Sequence, residues 1–354
     1  MMWHRVLKQH AAIILILSVI FLLLGSCVKQ AVEQRKPLPE IVWPQPPEKA
    51  KIRFVNAVSR PEDLQIKSTA FRRFVDYFTG KTDMEMIAPY GVATDSAGRL
   101  YVVDTALKTV HVFDVSAEEY YTFLTKDSSL VSPIDIAIDD KRGYIYVSDS
   151  GEKTVKIFKD RGRAFVGEIG KGVFDRPTGL AVNEKTSELL VVDTLNASIL
   201  RYDLNDNGFK GILGGNGSAT GGFHFPTNIY VTKDGMILVS DSLNFRVQMF
   251  SPEGNFLRMF GSEGDQPGYF SRPRGVASDS DGNIYVVDAL FDNVQIFNNQ
   301  GELLMAFGSH GKGYGEFWLP TGIFIDQNDT IYVSDSYNKR IQIFEYLKGD
   351  DPLK

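Results

Sequence analysis

One sequence unit of about 45 residues recurs six times between residues 89 and 345, and this repeat restricts the fold more than any other feature of the chain. The six copies begin at Pro89, Pro133, Pro177, Pro226, Pro273 and Pro320. Each copy contains three or four short runs of β-branched, aliphatic and aromatic residues, separated by turns rich in Gly, Asp and Asn. A repeat of this length with several strand-like runs per copy is typical of a β-propeller, in which each copy forms one four-stranded antiparallel blade.

The sixth copy ends soon after Phe344 and lacks a fourth strand-like run. Upstream of the first copy, residues 51–59 alternate apolar and polar side chains as a strand does. We expect this segment to pair with the strand at 341–345, because ring closure removes the exposed edges of an open array. The sequence therefore predicts an all-β, six-bladed β-propeller of four-stranded antiparallel blades over residues 51–348, followed by a short tail at 349–354.

The N-terminus has the pattern of an export signal. Residues 11–24 form an apolar run interrupted by Ser18 alone, and Arg5 and Lys8 precede it. The run is shorter than the roughly 20 residues that cross a bilayer as a helix, but it has the length of a signal-peptide core. It is followed by L-G-S-C ending at Cys27, the single cysteine of the chain, which resembles the lipobox of bacterial lipoproteins. An uncleaved signal anchor is the alternative.

The lipoprotein resemblance implies cleavage after the signal peptide at residues 1–26, lipidation of Cys27 and attachment to a membrane through the acyl chains. It places the protein in the bacterial cell envelope. Val28 follows the cysteine where an Asp would indicate inner-membrane retention, which favours the outer membrane. Residues 27–50 contain five prolines and predict an extended tether that cannot build a strand ladder.

The repeated unit resembles the NHL repeat in three short motifs. These are the opening P-x-G-[IVL]-A-x-D, the centre Y-V-x-D-[ST]-x-N and the closing [VI]-Q-x-F. The resemblance extends from the first copy to the last and implies the propeller fold. It does not imply one activity, because NHL propellers include RNA binders, ligase substrate modules, sensor domains and a copper-linked lyase.

Two positions hold the same or similar residues in all copies, and we assign both to the architecture. One is a carboxylate after the second strand: Asp104, Asp149, Asp193, Asp241, Asp288 and Asp335. Each is followed by a small residue and a turn, where Asp accepts hydrogen bonds from backbone N–H groups. The other is the third residue of each copy: Gly91, Asp135, Gly179, Asn228, Gly275 and Gly322. These residue types tolerate positive φ, so we expect a conformational requirement of the backbone there.

The candidates for binding are the residues that differ between copies at one end of the propeller. In an up-and-down blade, the loop before each proline and the turn after each repeated aspartate lie at the same end, which we call the proline rim. The variable residues there are Arg176, His224, Phe225, Phe245, Arg272, Arg274, Phe291, Trp318, Tyr337 and Arg340. Exposed aromatic and arginine side chains are typical of partner recognition, whereas packing between blades and solvated charge are the alternative roles. Apolar residues at i, i+3, i+4 and i+7 also predict a short helix at 68–79 on this rim.

The sequence contains little that indicates catalysis. It has no P-loop, no G-x-S-x-G elbow and no H-E-x-x-H motif. The histidines of the propeller, His111, His224 and His310, are scattered without metal-ligand spacing. We therefore predict no catalytic residue and no cofactor.

One segment between strand-like runs resembles a metal-binding loop. Asp203, Asn205 and Asn207 match the front half of an EF-hand calcium loop, but Gly214 stands at the twelfth position, where a bidentate Glu is needed. The same residue types are ordinary in turns, which is the alternative role. The segment is a weak calcium candidate, and no other metal site is predicted.

The net charge of −6 argues against a nucleic-acid partner, since such proteins need a positive surface. We expect a non-catalytic envelope lipoprotein whose propeller, a monomeric domain, binds or scaffolds a protein or another envelope ligand. The alternative is a metal-dependent enzyme of the lyase or lactonase type with its site in the central channel, where Asp135 and Asn228 are the polar residues. A scaffold in a transport or electron-transfer complex is a third hypothesis.

Overall fold

The computed structural model describes residues 37–66, 85–123 and 129–348. The predicted signal peptide, the lipidation site at Cys27, the predicted helix at 68–79 and the tail at 349–354 lie outside these residues. Within the described ranges, no helix is long and apolar enough to cross a membrane.

Six antiparallel sheets follow one another along the chain as blades. Two strands precede the repeats, β1 (Val42–Trp43) and β2 (Ile52–Val58). Blade 1 contains β3 (Pro89–Thr94), β4 (Leu100–Asp104), β5 (Thr109–Asp114) and β6 (Glu119–Thr122). Blade 2 contains β7 (Pro133–Asp139), β8 (Tyr144–Asp149), β9 (Thr154–Lys159) and β10 (Ala164–Ile169). Blade 3 contains β11 (Pro177–Asn183), β12 (Glu188–Asp193), β13 (Ser198–Asp203) and β14 (Phe209–Gly214).

The second half of the ring repeats this plan. Blade 4 contains β15 (Pro226–Val231), β16 (Ile237–Asp241), β17 (Arg246–Phe250) and β18 (Phe256–Phe260). Blade 5 contains β19 (Pro273–Ser278), β20 (Ile284–Asp288), β21 (Asn293–Phe297) and β22 (Leu303–Phe307). Blade 6 contains β23 (Ile323–Ile325), β24 (Thr330–Asp335) and β25 (Arg340–Tyr346), joined by β2 and β1. Short 3-10 helices lie at Pro61–Leu64, Asp160–Gly162, Ser242–Asn244 and Ser336–Asn338.

The first strand of each blade lines the central channel, and these inner strands neighbour one another around the ring from β3 to β23 and back to β3. The core lies between the blades, because both faces of each sheet are covered. Between blades 5 and 6, for example, Tyr285, Val294, Ile331 and Phe344 pack together without exposure to solvent. The predicted six-bladed propeller of four-stranded antiparallel blades is confirmed.

The predicted ring closure is also confirmed. Strand β2 pairs antiparallel with β25, with Ile52 opposite Tyr346 and Val58 opposite Ile341. Blade 6 therefore takes its fourth strand from the start of the propeller and its other strands from the end. Backbone hydrogen bonds thereby tie the segment before blade 1 to the last strand of the propeller.

The expectation that the proline-rich segment at 27–50 builds no strand ladder is wrong at β1. Trp43 pairs with Ile52 of β2 and makes blade 6 a five-stranded sheet. The Trp43 ring lies 5.7 Å from the ring of Phe307 and 5.8 Å from that of Phe344. Pro44 cannot donate to a ladder, which explains why the strand is only two residues long.

The explanation of the third position by positive φ is wrong as well. None of the six residues there has a positive φ. A Cβ added to Gly179 would lie 2.7 Å from the Cα of Asn228, and one added to Gly275 would lie 2.8 Å from the backbone N of Ile323. In the copies that have glycine there, glycine is required because the neighbouring inner strand approaches too closely for a side chain.

The architectural role of the repeated aspartates is confirmed. All six are fully buried, and each accepts hydrogen bonds from the loop that precedes the proline of its own blade. Asp149, for instance, accepts from the N–H groups of Val131 at 2.7 Å and Ser132 at 2.9 Å. The hydroxyl after most of these aspartates donates to the proline carbonyl of the next blade, as Thr194 does to Pro226 at 2.7 Å. The pair thus ties each loop to its blade and each blade to its neighbour.

Candidate functional site

Three loops on the proline rim share a pattern that the sequence reasoning missed. These rim loops, residues 214–226, 261–273 and 308–320, all read G-x-x-G-x-x-x-G-x-F-x-x-P. The phenylalanines of the pattern, Phe223, Phe270 and Phe317, are fully buried. Each forms a parallel bridge with the residue seven positions earlier. The signal was present in the sequence, because glycines and a phenylalanine recurring at fixed offsets before three of the six prolines indicate one loop structure.

A buried glutamine in the third strand of each following blade holds each rim loop. The Nε2 group of Gln248 donates to the carbonyl of Gly222 at 2.7 Å, and its Oε1 accepts from the N–H of Gly221 at 3.0 Å. Gln295 and Gln342 make the equivalent pairs of bonds to the other two loops. Both ends of each amide are therefore satisfied by loop backbone, which fixes the loop on its blade.

Arg340, which was predicted as a binding residue, is part of this support. It is 8% exposed, and its Nε donates to Asp335 Oδ2 at 2.7 Å. Its remaining N–H groups donate to the carbonyls of Lys312, Gly313 and Glu316. Arg340 is therefore occupied by the loop and is not available to a partner. The sequence argument failed because the same arginine recurs in only one other copy.

That other copy has Arg246 in the equivalent position. Arg246 donates from Nε to Asp241 Oδ2 at 2.8 Å and from its other nitrogens to carbonyls of the loop at 214–226. Two of the three rim loops thus have an arginine support in addition to the glutamine. The repeated geometry identifies both arginines as architecture.

The loop at 308–320 and the turn after Asp335 together display an aromatic cluster, which we call the aromatic platform: His310 and Trp318 from the loop and Tyr337 from the turn. The Trp318 and Tyr337 ring centroids are 5.6 Å apart, and those of His310 and Trp318 are 6.0 Å apart. The Tyr337 side chain is 61% exposed. The Nζ of Lys312 lies 5.0 Å from the centre of the Trp318 ring, which adds a positive charge beside the platform.

Two buried carboxylates accept hydrogen bonds from the residues that carry the platform. Asp292, in the turn after the repeated Asp288, lies 2.8 Å from His310 Nδ1 and accepts from the N–H of Leu319 at 2.6 Å. Asp335 accepts from the N–H of Trp318 at 2.8 Å. Burial raises the pKa of Asp335, which the hydrogen bond from Trp318 and the Arg340 guanidinium oppose. The platform rings therefore project from a backbone that is fixed on both sides.

A second group lies where blades 3 and 4 meet. The exposed Arg176 guanidinium stands over the Phe225 ring at 5.5 Å from its centroid. His224 is exposed, and its backbone N–H donates to Asp241. Phe225 is half-buried and has a φ of 58°. The Arg176 guanidinium and the Phe225 ring thus contact each other.

The remaining predicted rim residues have different surroundings. Phe245 packs against the apolar cluster between blades 4 and 5, which is the packing role considered as the alternative. Phe291 and Arg272 are half-buried, and their N–H groups donate to Asp288. Arg274 points to the mouth of the channel, where its Nη1 donates to the hydroxyl of Tyr90 at 2.7 Å. The structure therefore separates the ten candidates into the platform, the Arg176 group, the channel mouth and architecture.

The channel contains a cavity of about 220 Å³ lined mainly by apolar residues of the inner strands. Its polar members include Asp135 and Asn228, and Asn228 Nδ2 lies 3.4 Å from Asp135 Oδ2. Each side chain also accepts a backbone N–H of the next inner strand, from Leu180 to Asp135 and from Val276 to Asn228. Burial raises the pKa of Asp135 to about 7. Both residues therefore link inner strands.

No group of three or more His, Cys, Asp and Glu side chains that could hold a metal occurs in the described part of the chain. The proposed calcium segment is a turn between β13 and β14. Asp203 Oδ1 accepts from the N–H and the side-chain amide of Asn205, and Asn205 Oδ1 accepts from Arg142. Asn207 adopts φ of 60°. The oxygens that calcium would require are bonded within the protein, which favours the turn role.

Comparison with known families agrees with this architecture. The model of the family DUF5128, described as a 6-bladed beta-propeller, matches residues 93–213 and 275–349, more than half of the chain. The chain belongs to this family. The matched residues lie in blades 1 to 3 and in blades 5 and 6, so the DUF5128 assignment rests on both parts of the repeat array.

Individual relatives of this DUF5128 propeller are distant. The protein brain tumor of Drosophila melanogaster is 27% identical over 132 residues, which are 36% of this chain and 12% of that protein. An auxiliary nutrient binding protein from Bacteroides thetaiotaomicron has a similar structure, with a TM-score of 0.59, 15% identity and coverage of 74% of this chain and 70% of that one. Virginiamycin B lyase from Staphylococcus aureus follows with a TM-score of 0.53, 13% identity and coverage of 73% and 95%. At these identities the two structures show the fold alone.

Proposed function

We propose that this DUF5128 propeller is a non-catalytic binding module of the bacterial cell envelope, anchored through a lipidated Cys27, and that its proline rim binds a protein partner. The aromatic platform is the observation that carries the proposal. Trp318 and Tyr337 stand side by side on the surface, and Tyr337 is 61% exposed. Neither aromatic side chain takes part in the strand pairing that closes the propeller.

The chemistry of the platform suits recognition of a protein surface. Trp and Tyr are enriched among the residues that contribute most to interfaces, because they offer a large contact area and a polar tip. Asp292 and Asp335 fix the backbone that carries the rings. A fixed platform loses little conformational entropy when a partner binds, so more of the contact energy remains as affinity.

The DUF5128 membership and the structural neighbours support a binding role at the level of the fold. One neighbour is described as an auxiliary nutrient binding protein. The described residues offer no metal-ligand cluster for the lyase type of chemistry. The binding proposal, unlike the lyase alternative, needs no metal ligands and rests on the aromatic platform of the rim.

Photo-crosslinking in intact cells tests this proposal. We expect a photoreactive phenylalanine analogue at Tyr337 to give one dominant crosslinked protein, and Trp318→Ala to abolish that product. Phe209 is the matched control, since it is 57% exposed but lies on β14 in the outer edge of blade 3. Crosslinking that is equal from positions 337 and 209, or that survives Trp318→Ala, would refute the platform as the binding site.

The anchor is tested in the same cells. Cys27→Ser removes the acylation site, and we expect the protein to leave the membrane fraction and the crosslinked product to fall. If the variant stays in the membrane fraction, the segment at 11–24 acts as an uncleaved anchor. A crosslink that persists with soluble protein would contradict the lipid anchor as a requirement while leaving the platform in place.

A further inference from the structure

Arg274 has a free edge at the mouth of the channel. It is the second residue of β19 and is half-buried. Its Nη1 is bonded to Tyr90 of blade 1, but its Nε is buried and has no hydrogen-bond partner. No carboxylate of the described residues lies within ion-pair distance of this guanidinium. A buried donor on a charged group without a partner is costly, which makes this arginine unlike the others.

Two other arginines show what normally fills this edge. Arg201 uses Nε and Nη2 side by side to bind Glu188 Oε2, at 2.9 Å and 2.6 Å. Arg142 uses the same two nitrogens to bind Asn205 Oδ1, both at 3.2 Å. In Arg274 the Nε–Nη2 edge has no partner among the described residues. The edge that binds a protein oxygen in Arg201 and Arg142 therefore has no protein acceptor in Arg274.

At the second residue of the copy, blade 5 departs from blades 3, 4 and 6, whereas blades 1 and 2 have Tyr90 and Ile134 there. In blades 3, 4 and 6 the second residue of the copy is a Thr bonded to the hydroxyl after the repeated aspartate: Thr178 to Thr194, Thr227 to Ser242 and Thr321 to Ser336. In blade 5 these two positions are Arg274 and Ala289. Ala289 also lacks the hydroxyl that links the neighbouring blades. Blade 5 thus has a cation where these three blades have a hydrogen-bonded pair of hydroxyl groups. The fold does not require this cation.

We propose that the channel mouth binds the carboxylate of a small organic acid, side-on, through Nε and Nη2 of Arg274. Planar carboxylates match this edge of a guanidinium with two parallel hydrogen bonds. The Tyr90 hydroxyl accepts from Nη1, so its own proton is available as a further donor to the ligand. This site is separate from the aromatic platform and does not depend on a protein partner there.

The size of the mouth restricts the ligand. The cavity behind Arg274, lined also by Tyr90, Asp135, Thr227 and Thr321, has a volume of about 10 Å³. This is room for one atom-sized group, about that of a water molecule. An oxygen of the carboxylate enters the mouth, and the body of the acid lies outside on the rim.

The test uses 4-bromobenzoate and sodium bromide with the purified full-length chain. Crystals soaked with 4-bromobenzoate are expected to show the carboxylate on the Nε–Nη2 edge and the bromine anomalous signal on the rim side. In solution, Arg274→Gln is expected to weaken 4-bromobenzoate binding about tenfold or more, because it removes a charge-assisted pair of bonds. Arg274→Lys keeps the charge but loses the paired donors, and we expect an intermediate loss.

Arg176→Gln is the matched control, since Arg176 is an exposed rim arginine that already lies over Phe225, and it should leave binding unchanged. If Arg274→Gln does not fold, Tyr90→Phe replaces it and is expected to lower affinity about threefold to tenfold. Bromide bound at Arg274 while 4-bromobenzoate does not bind would show a halide site and overturn the proposal. A water on Nε with neither probe bound, or equal binding by the Arg274 and Arg176 variants, would also overturn it.

Discussion

Two of the rim loops, residues 214–226 and 308–320, are held by the same contacts but expose different side chains. Gln248 and Arg246 support the first loop as Gln342 and Arg340 support the second. The first loop presents His224 and a Phe225 ring that Arg176 covers, whereas the second presents the aromatic platform. The supporting residues are the same in the two copies, and the exposed ones differ. We therefore expect the binding function in the side chains that are exposed at the second loop and not at the first.

The largest expected effect comes from breaking the support in both loops. Arg340→Met leaves Asp335 buried without its cation and removes the hydrogen bonds that Arg340 donates to three loop carbonyls. Arg246→Met does the same to Asp241 and the first loop. We expect each variant to lower the free energy of unfolding by about 3–5 kcal/mol, measured by urea denaturation.

Equal losses in the two loops would establish that their supports are equivalent. Arg176→Met is the control, because its guanidinium is exposed and a surface substitution of this kind changes stability by about 0.5 kcal/mol. A loss below about 1 kcal/mol for either buried arginine would contradict the support role.

A pH-dependent effect of somewhat smaller size is expected at the channel, where blade 2 has Asp135 in place of the glycine of most copies. Its pKa is raised to about 7 by burial, so the folded protein holds this proton more tightly than the unfolded chain does. The stability that goes with the bound proton is fully present below the usual carboxyl pKa and is lost as the pH rises through about 7. Asp135→Asn removes this loss and should raise the free energy of unfolding at about pH 8 by up to about 4 kcal/mol relative to the wild type.

The same variant should give little or no gain at about pH 3, below the usual carboxyl pKa of 3.8, where the wild-type carboxyl is mostly protonated in both states. Glu184→Gln, at an exposed position of blade 3, is the control and should leave the pH profile unchanged. If Asp135→Asn destabilises the protein equally at both pH values, the hydrogen bonds of the carboxyl outweigh its burial and the prediction is wrong.

The smallest effect is expected where the two loops differ. Tyr337→Ala should change the free energy of unfolding by about 1 kcal/mol or less, because the side chain is 61% exposed. Phe317→Ala, in the shared pattern of the loop at 308–320, should cost about 3–5 kcal/mol because that ring is fully buried. Thermal and urea unfolding compare the two variants. A large loss for Tyr337→Ala would make the platform part of the support and remove the contrast.

Much of the fold could be predicted from the sequence because each blade is a local unit. The strand patterns, the turn residues and the repeated aspartates recur at short, regular spacing, and the pairing of residues 51–59 with the last blade followed from one missing strand. The candidate site was less predictable. The variable position of Arg340 predicts a binding residue, although this side chain supports a loop. The pattern shared by three loops lies before the prolines at which the repeat units begin.

Four features follow from the sequence alone: the number of blades, their strands, the ring closure and the role of Asp149 and its equivalents. All of them depend on periodicity and local hydrogen bonding. Only the tertiary structure decided which distant residues meet. It showed that Gly179 is needed for room between strands, that Trp43 adds a strand, and that Arg274 keeps a free edge beside Tyr90. The physical reason is that close approach and hydrogen-bond satisfaction depend on distances between segments from different blades, which no spacing along the chain encodes.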